Sequence, residues 1–282
     1  MFAFDEVPVK FVGLLVLFVW CSVWSVYELT RPQDLKQRIS NSLHLVMALV
    51  MVLMVAPATW KALVAVIPLP LLVGLFAVST VWFLWWSLDA FRGSDRSGGL
   101  HFLGHAAMFG AMTWHLSAMA AMSTIMSRGM GGMGGMDKGE MMAAQGRPGG
   151  VLWTFALVGV PFMTYLLVSS LRSLWQAVRP GAAAAPLDCA CGPDCTCGPE
   201  CSCAPNHTDG GVETELVGVG GPAVSVAVAA PVTTHSCHEV RPVGSVKYRL
   251  ETLAAFAMNF GMFWMSTGLM VAILPFFAMF AF

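Results

Sequence analysis

The sequence predicts an all-α protein: a polytopic membrane bundle of about six transmembrane helices, N-terminus and C-terminus both outside, with two flexible loops. Three observations carry that expectation. Hydrophobic residues make up 57% of the 282-residue chain and charged residues only 11%, whereas a soluble domain carries about 25% charged residues. Six apolar stretches, roughly 8–29, 41–59, 64–88, 101–126, 151–175 and 250–281, match the about 20 residues that cross a hydrocarbon layer of about 30 Å. Several of the ten tryptophans, among them Trp20, Trp24, Trp60 and Trp175, stand near the ends of those stretches, as residues of an interfacial belt do. The net charge of −1 offers no basic surface to nucleic acid.

Taken in order, the first stretch is expected to remain as a span. Asp5 and Glu6 offset Lys10 ahead of it, and no A-x-A cleavage site follows. The second and third are separated by Pro57-Ala-Thr-Trp-Lys61, with Pro68 and Pro70 close behind, which reads as a short turn and a restarted helix. Residues 1–178 thus hold five spans and an outer Met-rich loop over 127–150. Residues 179–246 form a Cys-rich loop, and residues 247–282 hold the sixth span. Both loops are too rich in Gly, Ala and Pro to bury a core, so flexibility is expected. With the N-terminus outside, ten Lys and Arg residues fall on the cytoplasmic side and five on the outer side. That asymmetry favours the N-out, C-out orientation and a plasma-membrane location with the Cys loop in the cytoplasm.

The Cys loop contains a threefold hexapeptide repeat, Asp188-Cys-Ala-Cys-Gly-Pro-Asp-Cys-Thr-Cys-Gly-Pro-Glu-Cys-Ser-Cys203. Its thiols are Cys189, Cys191, Cys195, Cys197, Cys201 and Cys203. Thiolates favour Cu(I), Zn(II) and similar soft ions. C-x-C pairs are too tight for a zinc ribbon, which spaces its cysteines C-x₂₋₄-C, so a polynuclear thiolate cluster fits better. The alternatives are three disulfides, which belong to an oxidising compartment, or a low-complexity insert. The run resembles small bacterial metallothioneins over about 15 residues, and that resemblance implies chelation of a soft metal such as Cu(I). His235, Cys237 and His238 add three candidate ligands farther along the loop.

Inside the spans, His and Met fall on stripes. A helix turns about 100° per residue. On that spacing His101, His105, Met108, Met112, His115, Met119, Met122 and Met126 share an arc of about 100°. The row rises about 38 Å. His44, Met47, Met51 and Met54 stand at offsets 0, 3, 7 and 10, the offsets of His105, Met108, Met112 and His115. Met258, Met262 and Met265 form a third stripe beside Asn259. Met is often a flexible core filler, and a membrane His is often a satisfied interhelical hydrogen bonder. Matched ladders of both point further, because polar groups within the bilayer are costly and tend to be functional. Thioether and imidazole suit copper and do not suit Mg²⁺ or Ca²⁺, which take oxygen. They are also an axial pair for haem. The outer loop extends the ladder with Met130, Met133 and Met136 in M-x-x-M spacing, which resembles the Met motifs of copper importers and copper-resistance proteins.

Three segments resemble an uncharacterised actinobacterial family of multi-span membrane proteins, known as a domain of unknown function. They are His44-Leu-Val-Met-Ala-Leu-Val-Met-Val-Leu-Met54, the stretch from His105 to Met122, and Asn259-Phe-Gly-Met-Phe-Trp-Met-Ser-Thr-Gly-Leu-Met270. The resemblance implies an architecture and no activity.

The leading expectation is a copper-handling membrane protein that binds, transfers or stores Cu(I), with zinc or haem as other ligands of the same residues. Its partners would be the lipid bilayer and a copper chaperone or copper enzyme. The chain has no P-loop and no phosphorylated-Asp ATPase signature, so active pumping by this chain alone is not expected, and the expectation includes no enzymatic activity and no catalytic residue. The competing expectations are a membrane haem or redox subunit, without C-x-x-C-H and so without covalent haem, and a structural or assembly subunit whose Met rows are packing seams.

Overall fold

The structure is a computed structural model and describes residues 7–132, 144–179, 245–271 and 273–280. Among the described residues seven helices follow one another: α1 (Pro8–Leu29), α2 (Leu35–Val55), α3 (Pro57–Val66), α4 (Leu69–Arg92), α5 (Arg96–Gly132), α6 (Val151–Val178) and α7 (Val246–Met270), with a 3₁₀ segment over Pro275–Phe280. The described residues hold no strand. Helices α1, α2, α4, α6 and α7 are long and apolar enough to cross a membrane. The chain is therefore a multi-pass helical membrane bundle.

Proline sets several boundaries. Pro8 and Pro57 occupy the first turns of α1 and α3, and Pro70 that of α4, where the missing N–H has no intrahelical partner to lose. This revises the expected second and third spans. The second ends at Val55, not residue 59, and the third begins at Leu69, not residue 64. Between them lies α3, an exposed ten-residue helix with no buried residue. The last span is also shorter than 250–281. Helix α7 ends at Met270 ahead of Pro275, which cannot continue an N–H ladder.

The expected fourth span is the largest departure. α5 runs 37 residues, past both ends of 101–126, and it is not among the five helices apolar enough to qualify as spans. Its interior carries Gly, His, Ser and Thr between its apolar residues. The packing accounts for that: α5 lies against α4, α6 and α7, and α2 reaches it through His44. A helix walled by helices needs less lipid-facing apolar surface than one at the rim.

Specific contacts fix α5 in place. Asp95 caps it, its Oδ1 accepting from the Gly98 N–H at 2.9 Å. The turn before it places Ser94 at φ 63°, which lets α4 fold back onto α5. Ser87 on α4 donates to the Gly99 carbonyl at 2.9 Å. Against α6, Trp114 Nε1 donates to the Phe155 carbonyl and the Tyr165 hydroxyl to the Gly104 carbonyl, both at 2.8 Å. Gly159 lies against the Trp114 ring so closely that a Cβ there would collide with it. On the other side of the bundle, the buried Lys10 amine of α1 donates to Thr267 Oγ1 of α7 at 2.9 Å.

Candidate metal centre

The site begins with a backbone carbonyl. Within α2, His44 Nδ1 lies 2.7 Å from the carbonyl oxygen of Ser40, one turn back. A carbonyl only accepts, so Nδ1 carries the proton and Nε2 carries the lone pair. That lone pair faces α5, where His105 Nδ1 stands 3.0 Å away. The other ring nitrogen of His105, Nε2, lies 3.2 Å from His101 Nε2, one turn earlier on α5. Three imidazoles thus form a row, their ring centroids 4.7 and 4.6 Å apart. The row runs inward: His101 is exposed, His105 half-buried and His44 buried.

Aromatic rings wall the row. Phe83 of α4 stands 5.9 Å from His44 and 5.2 Å from His105, ring to ring. Phe109, one turn beyond His105, lies 5.3 Å from His44 and stacks on Phe83 at 5.1 Å. At the outer end the Lys36 ammonium sits 3.6 Å above the Trp86 ring and 4.4 Å from that of Phe102. Excluding water from one side of the row strengthens any interaction of its lone pairs with a cation.

The Met ladders enter the same core. Met47, Met51 and Met54 of α2, Met108 and Met112 of α5, and Met258, Met262 and Met265 of α7 are all buried in one contiguous apolar cluster. Met119 and Met122 are half-buried. Met163, which lies outside the ladders, is buried too, so burial alone does not single them out. His115 is buried, and its Nδ1 lies 2.8 Å from Ser266 Oγ on α7. Asn259, beside the α7 stripe, donates to the Ala255 carbonyl at 2.8 Å, and its buried Oδ1 has no hydrogen-bond partner.

The shared direction of the second and fourth spans predicts His44 nearer to His105 or His101 than to His115, and the 3.0 Å contact falls on His105. Among the described residues no three His, Cys, Asp or Glu side chains converge to hold one metal ion. The three imidazoles form two adjoining pairs that share His105. The Met126 and Met130 side chains, and Met133, Met136, Cys189, Cys191, Cys195, Cys197, Cys201, Cys203, His235, Cys237 and His238, lie outside the described residues. The eighth cysteine, Cys21, is buried in α1, its Sγ 3.5 Å from the Ala254 carbonyl.

Several participants carry no signal in the stripes. Phe109 follows His105 by four residues and so could be placed on its face. Phe83 and Lys36 belong to other helices, and Ser266 gains its role only across the α5–α7 contact.

A family model described as a domain of unknown function, DUF5134, matches residues 36–270, most of the chain. Neither a curated protein nor a solved structure matches it.

Proposed function

We propose that this chain, which belongs to the DUF5134 family, binds copper inside the membrane bundle and passes it between sites, with Cu(I) as the cargo. One observation carries this reading above the others: the Ser40 carbonyl holds His44 with its Nε2 lone pair aimed at a second imidazole. Metal-ligating histidines characteristically donate their other ring N–H to a carbonyl or carboxylate, which fixes the tautomer and raises ligand basicity. Buried thioethers on the same helices supply the soft donors that Cu(I) takes.

The rest of the chain fits a relay. In the N-out orientation the Met-rich loop is the outer copper site of a plasma-membrane protein and the thiolate run the cytoplasmic one. Thioethers do not form disulfides, so they suit the oxidising side, while thiols persist on the reducing side. Chain alternation puts the end of α6, the start of α7 and the start of α5, with His101, on one side of the bundle. A copper chaperone or copper enzyme would be the next carrier.

The test is metal analysis of the full chain purified from its native membrane, then Cu(I) titration against a Cu(I)-specific chelator. Copper should co-purify, and a His44→Leu variant should retain less of it than a Met163→Leu control. A visible haem spectrum, zinc in place of copper, or no bound metal with wild-type behaviour of the His44 variant would each overturn the reading. For the loop, a peptide spanning 186–206 should bind Cu(I) far better than its all-Ser counterpart, and less tightly at low pH because thiols must lose protons. A membrane-impermeant thiol reagent should spare Cys189–Cys203 in intact cells and label a cysteine engineered at Gly132. The reverse pattern inverts the orientation and favours disulfides.

A further inference from the structure

We infer that His105 is a shared ligand serving two copper stations in turn: an outer, exposed one with His101, at the cytoplasmic end of the row in the N-out orientation, and an inner, buried one with His44. The inference rests on the copper reading above and adds the order in which the ion moves.

The distances set up the two stations. Two imidazole nitrogens bound to one ion at about 2.0–2.1 Å each stand roughly 2.9–3.4 Å apart at angles between right and tetrahedral. The His44 Nε2 to His105 Nδ1 gap is 3.0 Å, and the His105 Nε2 to His101 Nε2 gap is 3.2 Å. Each gap has the span of such a pair, and the rings would tilt to aim both lone pairs at one ion. The two gaps use opposite nitrogens of His105, so they are two places and not one three-nitrogen site, in keeping with the lack of convergence among the described residues. Met47 and Met108 lie one turn deeper than His44 and His105 and are buried. Their thioethers are the candidates to complete the inner station. The outer station ends at exposed His101.

Proton bookkeeping makes the stations alternate. A neutral imidazole has one N–H and one lone pair. His44 keeps its proton on Nδ1, against the Ser40 carbonyl. In the empty row His105 donates from Nδ1 to His44 Nε2, and His101 donates from Nε2 to His105 Nε2. An ion entering the outer station takes the lone pair of His105 Nε2, and the His101 proton moves from Nε2 to Nδ1. When the ion passes to the inner station it takes the lone pairs of His44 Nε2 and His105 Nδ1. The His105 proton leaves Nδ1 and returns at Nε2 by exchange with water at the half-buried ring. No electron moves and no proton is lost overall. Filling both stations at once would strip His105 of its last ring proton, so a single ion occupies the row at a time.

The experiment uses the full chain in lipid nanodiscs, with the six cysteines of the run changed to Ser and Cu(I) alone as the probe. Retained copper, loading rate and release rate to a chelator are measured for His101→Gln, His105→Gln and His44→Gln. Variants are compared only after melting and size-exclusion profiles match the parent. His105→Gln should lose one copper equivalent. His44→Gln should keep it but release it at least tenfold faster. His101→Gln should keep it with slow release but load at least tenfold more slowly. X-ray absorption on the parent should show two imidazoles plus sulfur around copper, a result independent of any variant. Identical behaviour of all three variants, or three imidazoles on one copper, would overturn the shared-ligand arrangement. So would a parent that binds copper and three variants indistinguishable from it, which would move the copper to the Met rows. A parent that binds no Cu(I) would instead sink the copper reading itself.

Discussion

His105 and His115 stand ten residues apart on one face of α5 and have contrasting surroundings. His105 lies between two other imidazoles, at 3.0 and 3.2 Å. His115 lies against a serine hydroxyl on α7, at 2.8 Å, beside the Trp114 ring. The stripe puts both on the inner face, yet only His105 meets other imidazoles. Membership of a stripe explains why a polar side chain points inward, and the partner across the helix interface decides what it can do there. A buried His–Ser pair is what an interhelical hydrogen bond in a membrane looks like, and a row of imidazoles is costlier to assemble than packing alone requires.

The contrast can be broken in four ways. The largest effect should come from the wall of the imidazole row. Phe83→Ala removes a ring that contacts His44, His105 and Phe109, and should cost about 3–5 kcal/mol of resistance to unfolding. Thermal unfolding in micelles measures it, and a loss below about 1 kcal/mol would mean that the wall collapses freely. Next, His105→Leu should weaken Cu(I) retention by at least about tenfold, the scale seen when a metal centre loses a supporting partner. His115→Leu should change it by less than about twofold. Equal losses in chelator competition would erase the distinction between the two histidines. Third, Trp114→Phe removes the donor to the Phe155 carbonyl and should cost about 1 kcal/mol, measured by denaturation, with copper retention unchanged. Last, Ser266→Ala removes the partner of His115 and should cost about 0.6 kcal/mol, the average for interhelical hydrogen bonds in membranes. A drop in copper binding with Ser266→Ala would promote His115 to a site of its own.

Much of the fold was legible because a lipid-facing helix announces itself by length and composition. The first and fifth spans, 8–29 and 151–175, correspond closely to α1 and α6. Where proline punctuates an apolar run, hydropathy could not place the break: the sequence suggests one turn between 59 and 64, and the chain instead makes the separate helix α3. α5 shows the opposite failure, since its inward-facing row is obvious while its status as a span is not, because enclosure by neighbours replaces apolarity. At the site, the inward direction of His44 and His105 followed from periodicity, and their contact from the shared direction of α2 and α5. The Ser40 carbonyl, the Phe83 wall and the splitting of the row into two pairs depend on three-dimensional distances that no spacing encodes.

The composition of α5 has a consequence for how the protein is made. α5 is less apolar than the five helices that qualify as spans, so its own affinity for lipid is weaker than theirs. Only Gly93, Ser94 and Asp95 separate it from the strongly apolar α4, and Ser87 already ties the two together at that end. α4 and α5 are therefore expected to insert together as a hairpin, with α4 supplying the affinity for lipid. Completion of the last helix supplies Ser266, the partner of His115, and α6 and α7 together cover the rest of α5.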